Sequence, residues 1–170
     1  MIDFKAAVKI GEKEKQIQIG ERDGLQWLML QAAAFPMVGM PKFTEGSFRA
    51  TFGLDEKIPI EFRKLGSGYE NIEEKMSLPA TETAVQLVSG MKSISAGRGI
   101  KLYPSRYFKV IKDKEMATAI FGEADTSRIA IKTGMFVEAV IYAVPGILTN
   151  EFLDGLQDYI DQCRAAIEEE

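Results

Sequence analysis

The sequence predicts an α+β fold in which an antiparallel β-sheet of about six to eight strands packs against two or three helices. Three observations predict it: short stretches of alternating apolar and polar residues, a run of apolar stretches over residues 107–144 joined by very short links, and an amphipathic pattern over residues 150–168. Of the 170 residues, 46% are hydrophobic and 27% charged, which is enough to bury one core without disulfides or metal. Because no repeat or linker divides the chain, residues 1–170 are predicted to form a single domain.

The N-terminal region predicts two short strands followed by a helix. Apolar residues alternate with polar ones over residues 4–10 and 16–19, which is typical of strands joined by a polar turn. Asp23 is a candidate helix N-cap, and after it apolar residues recur at helical spacing as far as Phe35. We therefore expect a helix that ends at the following proline and that Trp27 anchors in the core.

The middle of the chain predicts a hairpin, a loop and a second helix. Residues 48–54 and 58–65 alternate in the manner of paired strands, and Pro59 favours an edge position for the second strand. Residues 66–79 are mostly polar and predict a loop. From residue 81 onward a broad apolar stripe indicates a helix that ends between residues 90 and 99.

The region from residue 107 to residue 144 predicts an antiparallel meander. It contains four apolar stretches, at residues 107–112, 116–122, 128–132 and 136–144. Parallel crossovers need about a dozen residues, and the links here are far shorter. The last stretch is apolar on both faces, with Val137 and Ala139 on the same one, so we expect it to be a central strand.

A C-terminal helix is predicted over residues 150–168, because Thr149 or Asn150 can cap it and acidic residues occupy its first turn. Its apolar residues step by three and four positions and form one seam: Leu153, Leu156, Ile160, Cys163 and Ile167. We expect this seam to pack on the sheet, which would bury Cys163, rather than to form a dimeric coiled coil.

Composition excludes several kinds of chemistry. The chain has no histidine and one cysteine, so a Ser–His or Cys–His nucleophile is excluded and a zinc site would have to be all carboxylate. No phosphate-binding, dinucleotide-binding or metal motif can be written from these residues, and we predict neither cofactor nor metal.

Charge and cysteine count indicate a compartment and a partner class. The net charge of −4 and the pI of about 5.1 argue against a nucleic-acid binder. The N-terminus has no secretory pattern, the uncharged residues 24–41 are too interrupted to span a membrane, and a lone cysteine fits a reducing compartment. We expect a cytoplasmic protein without a membrane span.

Two groups of residues are candidate sites. The first is an apolar segment predicted to be a loop, whose large side chains could contact a partner or a hydrophobic ligand: Phe35, Met37 and Met40. The second is a basic and aromatic group that could bind an anion: Arg98, Lys101, Tyr103 and Arg106. For the second group, ordinary surface charge beside buried aromatic residues is the favoured interpretation.

Three functional hypotheses follow. The leading one is a non-enzymatic binding or adaptor protein that engages a protein partner, or a second copy of itself, through apolar loop and sheet surface. An alternative is a domain that binds a small hydrophobic ligand in a cavity between a curved sheet and the C-terminal helix. A second alternative is an enzyme that works without histidine through Lys101, Tyr103 and Arg106.

Overall fold

The structure is a computed structural model that describes residues 1–72, 78–83, 86–95, 99–112, 117–121 and 127–168. The helices in this part of the chain are α1 (Phe4–Glu14), α2 (Glu45–Phe52), α3 (Ser105–Phe108) and α4 (Asn150–Glu168), with a 3₁₀ turn at Ser67–Tyr69. The strands are β1 (Ile17–Arg22), β2 (Leu25–Met29), β3 (Ala33–Pro36), β4 (Ile60–Lys64), β5 (Leu78–Pro79), β6 (Thr81–Glu82), β7 (Met91–Ser95), β8 (Ile100–Pro104), β9 (Ala117–Phe121), β10 (Arg128–Thr133) and β11 (Phe136–Tyr142).

The fold is α+β, as the sequence predicts, and most neighbouring strands are antiparallel. Eight strands form one sheet in the order β4-β1-β2-β3-β11-β10-β9-β5, and β6-β7-β8 form a second sheet. In the large sheet only the β1–β4 pair is parallel. None of the described helices combines the length and apolar character needed to cross a bilayer.

Apolar side chains cover both faces of the large sheet and form two clusters. The main core joins α1 and α2 to the sheet and includes Val8, Ile17, Leu28, Phe35, Phe48 and Ile141. The second core consists of Trp27, Met29, Ala34, Leu65, Ile72, Ala130, Val137 and Val140. Neighbouring residues of one strand, such as Trp27 and Leu28, therefore belong to different cores.

The strand predicted at residues 4–10 is wrong, because these residues belong to α1. The Asp3 carboxylate caps the helix by accepting a hydrogen bond of 3.0 Å from the Ala6 backbone N–H. Ala7, Val8 and Gly11 are buried at helical spacing. The short alternation in the sequence is thus part of a longer helical pattern.

The helix predicted after Asp23 is also wrong, because residues 25–36 form β2 and β3. Asp23 and Gly24 have φ angles of 51° and 79°, and Arg22 pairs directly with Leu25 across them. Two consecutive positive φ angles make a type I′ turn, which is the favoured two-residue connection in hairpins. Trp27 is buried as expected, but on a strand.

The middle of the chain differs in a similar way. Residues 48–52 end α2, where Thr44 and Ser47 form a capping box and Phe48 packs edge-on against Phe43. The predicted hairpin therefore does not exist, although the second predicted strand is present as β4, at the predicted edge, parallel to β1. The helix predicted from residue 81 is wrong where the structure describes it, because β6 and β7 occupy its ends; residues 84–85 lie outside the described residues.

Strands β9, β10 and β11 confirm the predicted meander, and β11 is central in the sheet. The first of the four stretches is not a strand, because α3 and a turn occupy it. The register of β10 and β11 shifts by one residue: Ile131 pairs with Ala139 and Lys132 with Val137, which leaves Glu138 as the extra residue. This bulge places Val137 in the second core and Ala139 in the main core, so they do not share a face.

Helix α4 has the predicted bounds, but only the first part of its seam packs on a sheet, namely on β8 of the smaller sheet. Leu153 is buried, whereas Cys163 is exposed and Ile167 is 74% exposed. From residue 161 to residue 168 every residue is exposed. The predicted burial of Cys163 is therefore wrong, because the second half of α4 extends beyond the strand, β8, against which its first half lies.

Candidate functional site

An apolar groove, which we call the Trp27 groove, lies at the end of the large sheet where β2 and β11 begin and β3 ends. Its volume is ≈ 640 Å³. Its floor is buried and consists of Trp27, Pro36, Ile72 and Val137. Its rim is more exposed and includes Leu25, Val38, Met40, Tyr69 and Phe136.

Strand β3 and the turn that follows it build one side of this groove. Pro36, Val38 and Met40 line the groove, whereas Phe35 and Met37 have 0% and 3% exposure and belong to the main core. Of the three residues predicted as a partner- or ligand-binding site, the structure places only Met40 at the groove. Met40 borders the groove, but Phe35 is on a strand, and neither Phe35 nor Met37 offers surface to a partner.

A buried glutamine fixes the loop that carries Val38 and Met40. The Gln26 side chain donates a hydrogen bond of 3.0 Å to the Phe43 carbonyl and accepts one of 2.7 Å from the Phe43 N–H. The Met37 N–H donates to the Gln26 carbonyl at 2.8 Å. Both ends of the loop are thereby tied to β2, so this part of the rim is held in place before anything binds.

Tyr69 forms the opposite wall of the groove. Its ring meets the Trp27 ring edge-on, with the centroids 5.3 Å apart, and its hydroxyl shares a hydrogen bond of 2.6 Å with the Tyr142 hydroxyl. Burial, followed by the hydrogen bond to Tyr142, raises the pKa of Tyr69 above its ordinary value. Tyr69 is therefore a neutral, fixed aromatic wall near neutral pH.

A second space, which we call the helix cavity, lies between β8, the loop at residues 143–148 and the start of α4. Its volume is ≈ 460 Å³. Most of its lining is apolar, including Ile100, Leu102, Val144, Ile147 and Leu153. It lies next to the C-terminal helix, which is where the sequence hypothesis of a ligand-binding domain places a cavity.

The candidate anion-binding residues do not form one cluster where the structure describes them. Arg98 lies outside the described residues, and Lys101 borders the helix cavity. Tyr103 is fully buried in the main core, its hydroxyl has no hydrogen-bond partner among the described residues, and burial raises its pKa. Because Tyr103 contacts neither Lys101 nor Arg106 through its hydroxyl, the proposed Lys–Tyr–Arg arrangement is not assembled.

Arg106 belongs instead to a network with Glu14 and Tyr107. The Arg106 Nε lies 2.8 Å from Glu14 Oε1, and the Tyr107 hydroxyl donates to the same oxygen at 2.6 Å. The Tyr107 hydroxyl also accepts from the Ala32 N–H at 3.1 Å. The network joins α1, α3 and the turn between β2 and β3. The guanidinium of Arg106 already has an anionic partner, which is the Glu14 carboxylate.

Burial, with a smaller contribution from the hydrogen bond to Glu14, raises the pKa of Tyr107 to about 12. The described residues contain no group of three or more metal-ligating side chains. The raised pKa of Tyr107 has a structural cause, because its hydroxyl joins α1, α3 and the turn between β2 and β3.

Comparison with known protein families, curated proteins and solved structures returns no match. Sequence reasoning missed three central residues of the Trp27 groove, namely Trp27, Tyr69 and Phe136. The available signal was the Asp23-Gly24 turn, which would have placed Trp27 on a hairpin opposite residues 17–22. No local signal brings Tyr69 and Phe136 to the same place.

Proposed function

We propose that the protein is a non-enzymatic binding protein that holds an apolar segment of a partner protein in the Trp27 groove. The observation that supports this most is the combination of a buried apolar floor with an exposed apolar rim. Trp27 is 5% exposed, whereas Val38 and Phe136 are 66% and 72% exposed. Large apolar side chains around a concave surface are typical of protein interaction sites.

The exposure of the rim favours a protein segment over a small molecule. A pocket for a small ligand buries most of that ligand, and its own rim contributes little. Here Val38 and Phe136 stand outside the floor and remain exposed unless the occupant reaches over them. Covering each of these side chains would contribute roughly 1.5–3 kcal/mol, so they are the expected centres of binding energy.

The groove offers little polar recognition. Its polar lining groups are Asn71, Glu138, the Tyr69 hydroxyl and the N-terminal ammonium of Met1. The Tyr69 hydroxyl is already hydrogen-bonded to Tyr142. The expected partner segment is therefore apolar, with aliphatic or aromatic anchors. Its affinity should depend on shape and apolar area rather than on charge.

The test is selection of a random-peptide phage library on the wild-type protein, followed by affinity measurement of the enriched peptides on two variants. We expect enriched peptides to share apolar anchors and to bind Phe136→Asp and Val38→Asp at least about tenfold more weakly. Phe62→Asp is the matched control, because Phe62 is 40% exposed on the edge strand β4 and does not line the groove. It should bind the peptides like the wild type.

Two results would overturn the proposal. One is the absence of any enriched apolar peptide, and the other is equal binding to the wild type and to Phe136→Asp. Circular dichroism and urea unfolding of each variant show whether the fold is intact. Because both rim side chains are largely exposed, we expect their free energies of unfolding to remain within about 0.5 kcal/mol of the wild type.

A second candidate function rests on the helix cavity, which could hold a small hydrophobic molecule. Native mass spectrometry of protein gently purified from its own host would show a retained adduct. Ile147→Asp, at the cavity lining, should then abolish the adduct, whereas Phe136→Asp should leave it unchanged. A spectrum without any adduct would contradict this candidate. So would an adduct that is lost in Phe136→Asp but retained in Ile147→Asp.

A further inference from the structure

Helix α4 carries an apolar face that the rest of the described chain does not cover. Its first half touches the body through Leu153, which is 8% exposed, and through Gln157, which accepts a hydrogen bond of 2.9 Å from Ser95. Tyr159 and Ile167 are 64% and 74% exposed. The contact with β7 and β8 therefore uses one side of the helix and leaves the centre of the apolar face open.

The charges of α4 are separated from this face. Projected at 100° per residue, the apolar side chains occupy an arc about 140° wide, and the carboxylates occupy an arc of about 100° on the opposite side. Asp154, Asp161 and Glu168 lie near the centre or one end of the acidic arc. Of the charged residues in α4, Arg164 is the nearest to the apolar arc.

This separation allows two copies of α4 to approach each other. Like charges that face one another across a helix pair would repel. Here each acidic arc points away from the apolar face and therefore away from the partner helix. A membrane surface fits less well, because helices that lie on membranes carry lysine and arginine on the polar face. Here that face carries five carboxylates.

The size of the face also suits self-association of modest strength. Phe152, Tyr159 and Ile167 are each more than half exposed, with half-buried Leu156 and Ile160 between them. Pairing two such faces would bury about 1,000 Å² in total, which is at the low end for specific interfaces. The expected dissociation constant is on the order of micromolar.

We propose that the apolar face of α4 pairs with the same face of a second copy of the chain, giving a homodimer. This surface is separate from the Trp27 groove, so the two proposals can fail independently. The exposed residues from Phe152 to Ile167 supply the contact, and each acidic arc stays in water.

Analytical ultracentrifugation over a range of concentrations tests the proposal. We expect the wild type to change from monomer to dimer in the micromolar range. Tyr159→Asp and Ile167→Asp should each weaken the dimer at least about tenfold, because they place a charge within the apolar contact. Ala165→Asp is the matched control, since residue 165 lies on the acidic arc, and it should change the dissociation constant by less than about threefold.

Alkylation of Cys163 by iodoacetamide gives a second readout at residue level. Cys163 lies within the apolar face and is exposed in the single chain, so its alkylation should slow several-fold as the protein concentration rises through the dissociation constant. In a Cys163→Ser, Ala165→Cys variant the rate should not depend on concentration.

Three results would overturn the homodimer. The wild type could stay monomeric at hundreds of micromolar, or Ile167→Asp and Ala165→Asp could have equal effects. Loss of the dimer in Phe136→Asp would instead show that α4 of one copy occupies the Trp27 groove of the other, which contradicts pairing between like faces. Tyr159 and Ile167 are exposed, so circular dichroism of their variants should match the wild type.

Discussion

The Trp27 groove and the apolar face of α4 are both apolar and both accessible, but they are built in different ways. The groove is concave, and its floor residues Trp27, Ile72 and Val137 belong to the second core. The face of α4 is convex, and its residues 161–168 are exposed in the part of the chain that the structure describes. The groove therefore forms only when several distant segments of the chain have packed together, whereas the α4 face forms with a single helix.

This difference suits the two surfaces to different occupants. A concave, preorganised groove favours a foreign segment that fits it, since little conformational entropy is lost on the receiving side. A convex stripe on a projecting helix favours a similar stripe, because two such faces can interlock along their length. It also follows that substitutions in the groove floor should affect stability, while substitutions on the α4 face should affect only association.

The largest expected effect is that of Trp27→Ala on stability. Removing a buried indole from the second core, together with its edge contact to Tyr69, should lower the free energy of unfolding by roughly 3–5 kcal/mol. Ile167→Ala should lower it by less than about 0.5 kcal/mol. Urea denaturation measures both, at protein concentrations below the dissociation constant of the dimer, so that association does not contribute.

The contrast between these two variants is the result that matters. Trp27→Phe provides the control for ring packing. Its loss of unfolding free energy should be less than half of that caused by Trp27→Ala. A loss below about 1 kcal/mol for Trp27→Ala would show that the groove floor is not part of the core, and the distinction between the two surfaces would then collapse.

A smaller effect is expected from alkaline pH through Tyr107, which supports the turn leading into β3. The pKa of Tyr107 is about 12 in the folded protein, and an ordinary tyrosine has a pKa of about 10. The folded state thus holds this proton more tightly, so the stabilisation is complete below about pH 10 and is lost as the pH rises toward 12. Buried Tyr69 and Tyr103 act in the same direction, because their pKa values are also raised.

Urea unfolding between about pH 8 and pH 12 tests this expectation. Tyr107→Phe should lower stability at pH 8 by about 1–3 kcal/mol, because Glu14 and the Ala32 N–H lose their common partner. It should also reduce the decline in stability above pH 10. The opposite outcome, a wild-type stability that stays constant through this range, would show that the Tyr107 hydroxyl is not held as the geometry indicates.

The C-terminal part of the fold could be predicted from the sequence because its signals are local. Short links around Gly134 force antiparallel neighbours, and a break at Pro145-Gly146 followed by Asn150 marks the start of α4. The N-terminal part could not be predicted in this way. Asp23 is suited both to an N-cap and to a hairpin turn. The Gly24 that follows it favours the turn, and the positive φ of both residues shows that the turn forms.

The candidate site could be predicted only in part, because the Trp27 groove is assembled from distant segments. Met40 could be predicted, because the apolar segment around it is evident in the sequence. Phe136 comes next to Trp27 only through the sheet order, in which β3 pairs with both β2 and β11. Tyr69 lies in the 3₁₀ turn after β4, and β4 joins the sheet through β1. The open face of α4 was missed for a related reason: the pattern of a helix indicates an apolar side, but burial of that side depends on what lies opposite.

The smallest expected effect is that of salt on the two surfaces. Each copy of α4 carries five carboxylates and one arginine, so the helices of a dimer repel weakly across the pair even though their acidic arcs point outward. Raising sodium chloride from about 0.05 M to about 0.5 M shortens the Debye length from about 14 Å to about 4 Å. The dimer should tighten by about two- to fivefold, as measured by ultracentrifugation, whereas peptide binding at the Trp27 groove should change by less than about twofold.

A dimer that weakens with salt would indicate an attractive ion pair across the interface, for which Arg164 is the candidate cation in α4. The two helices would then meet on their charged sides.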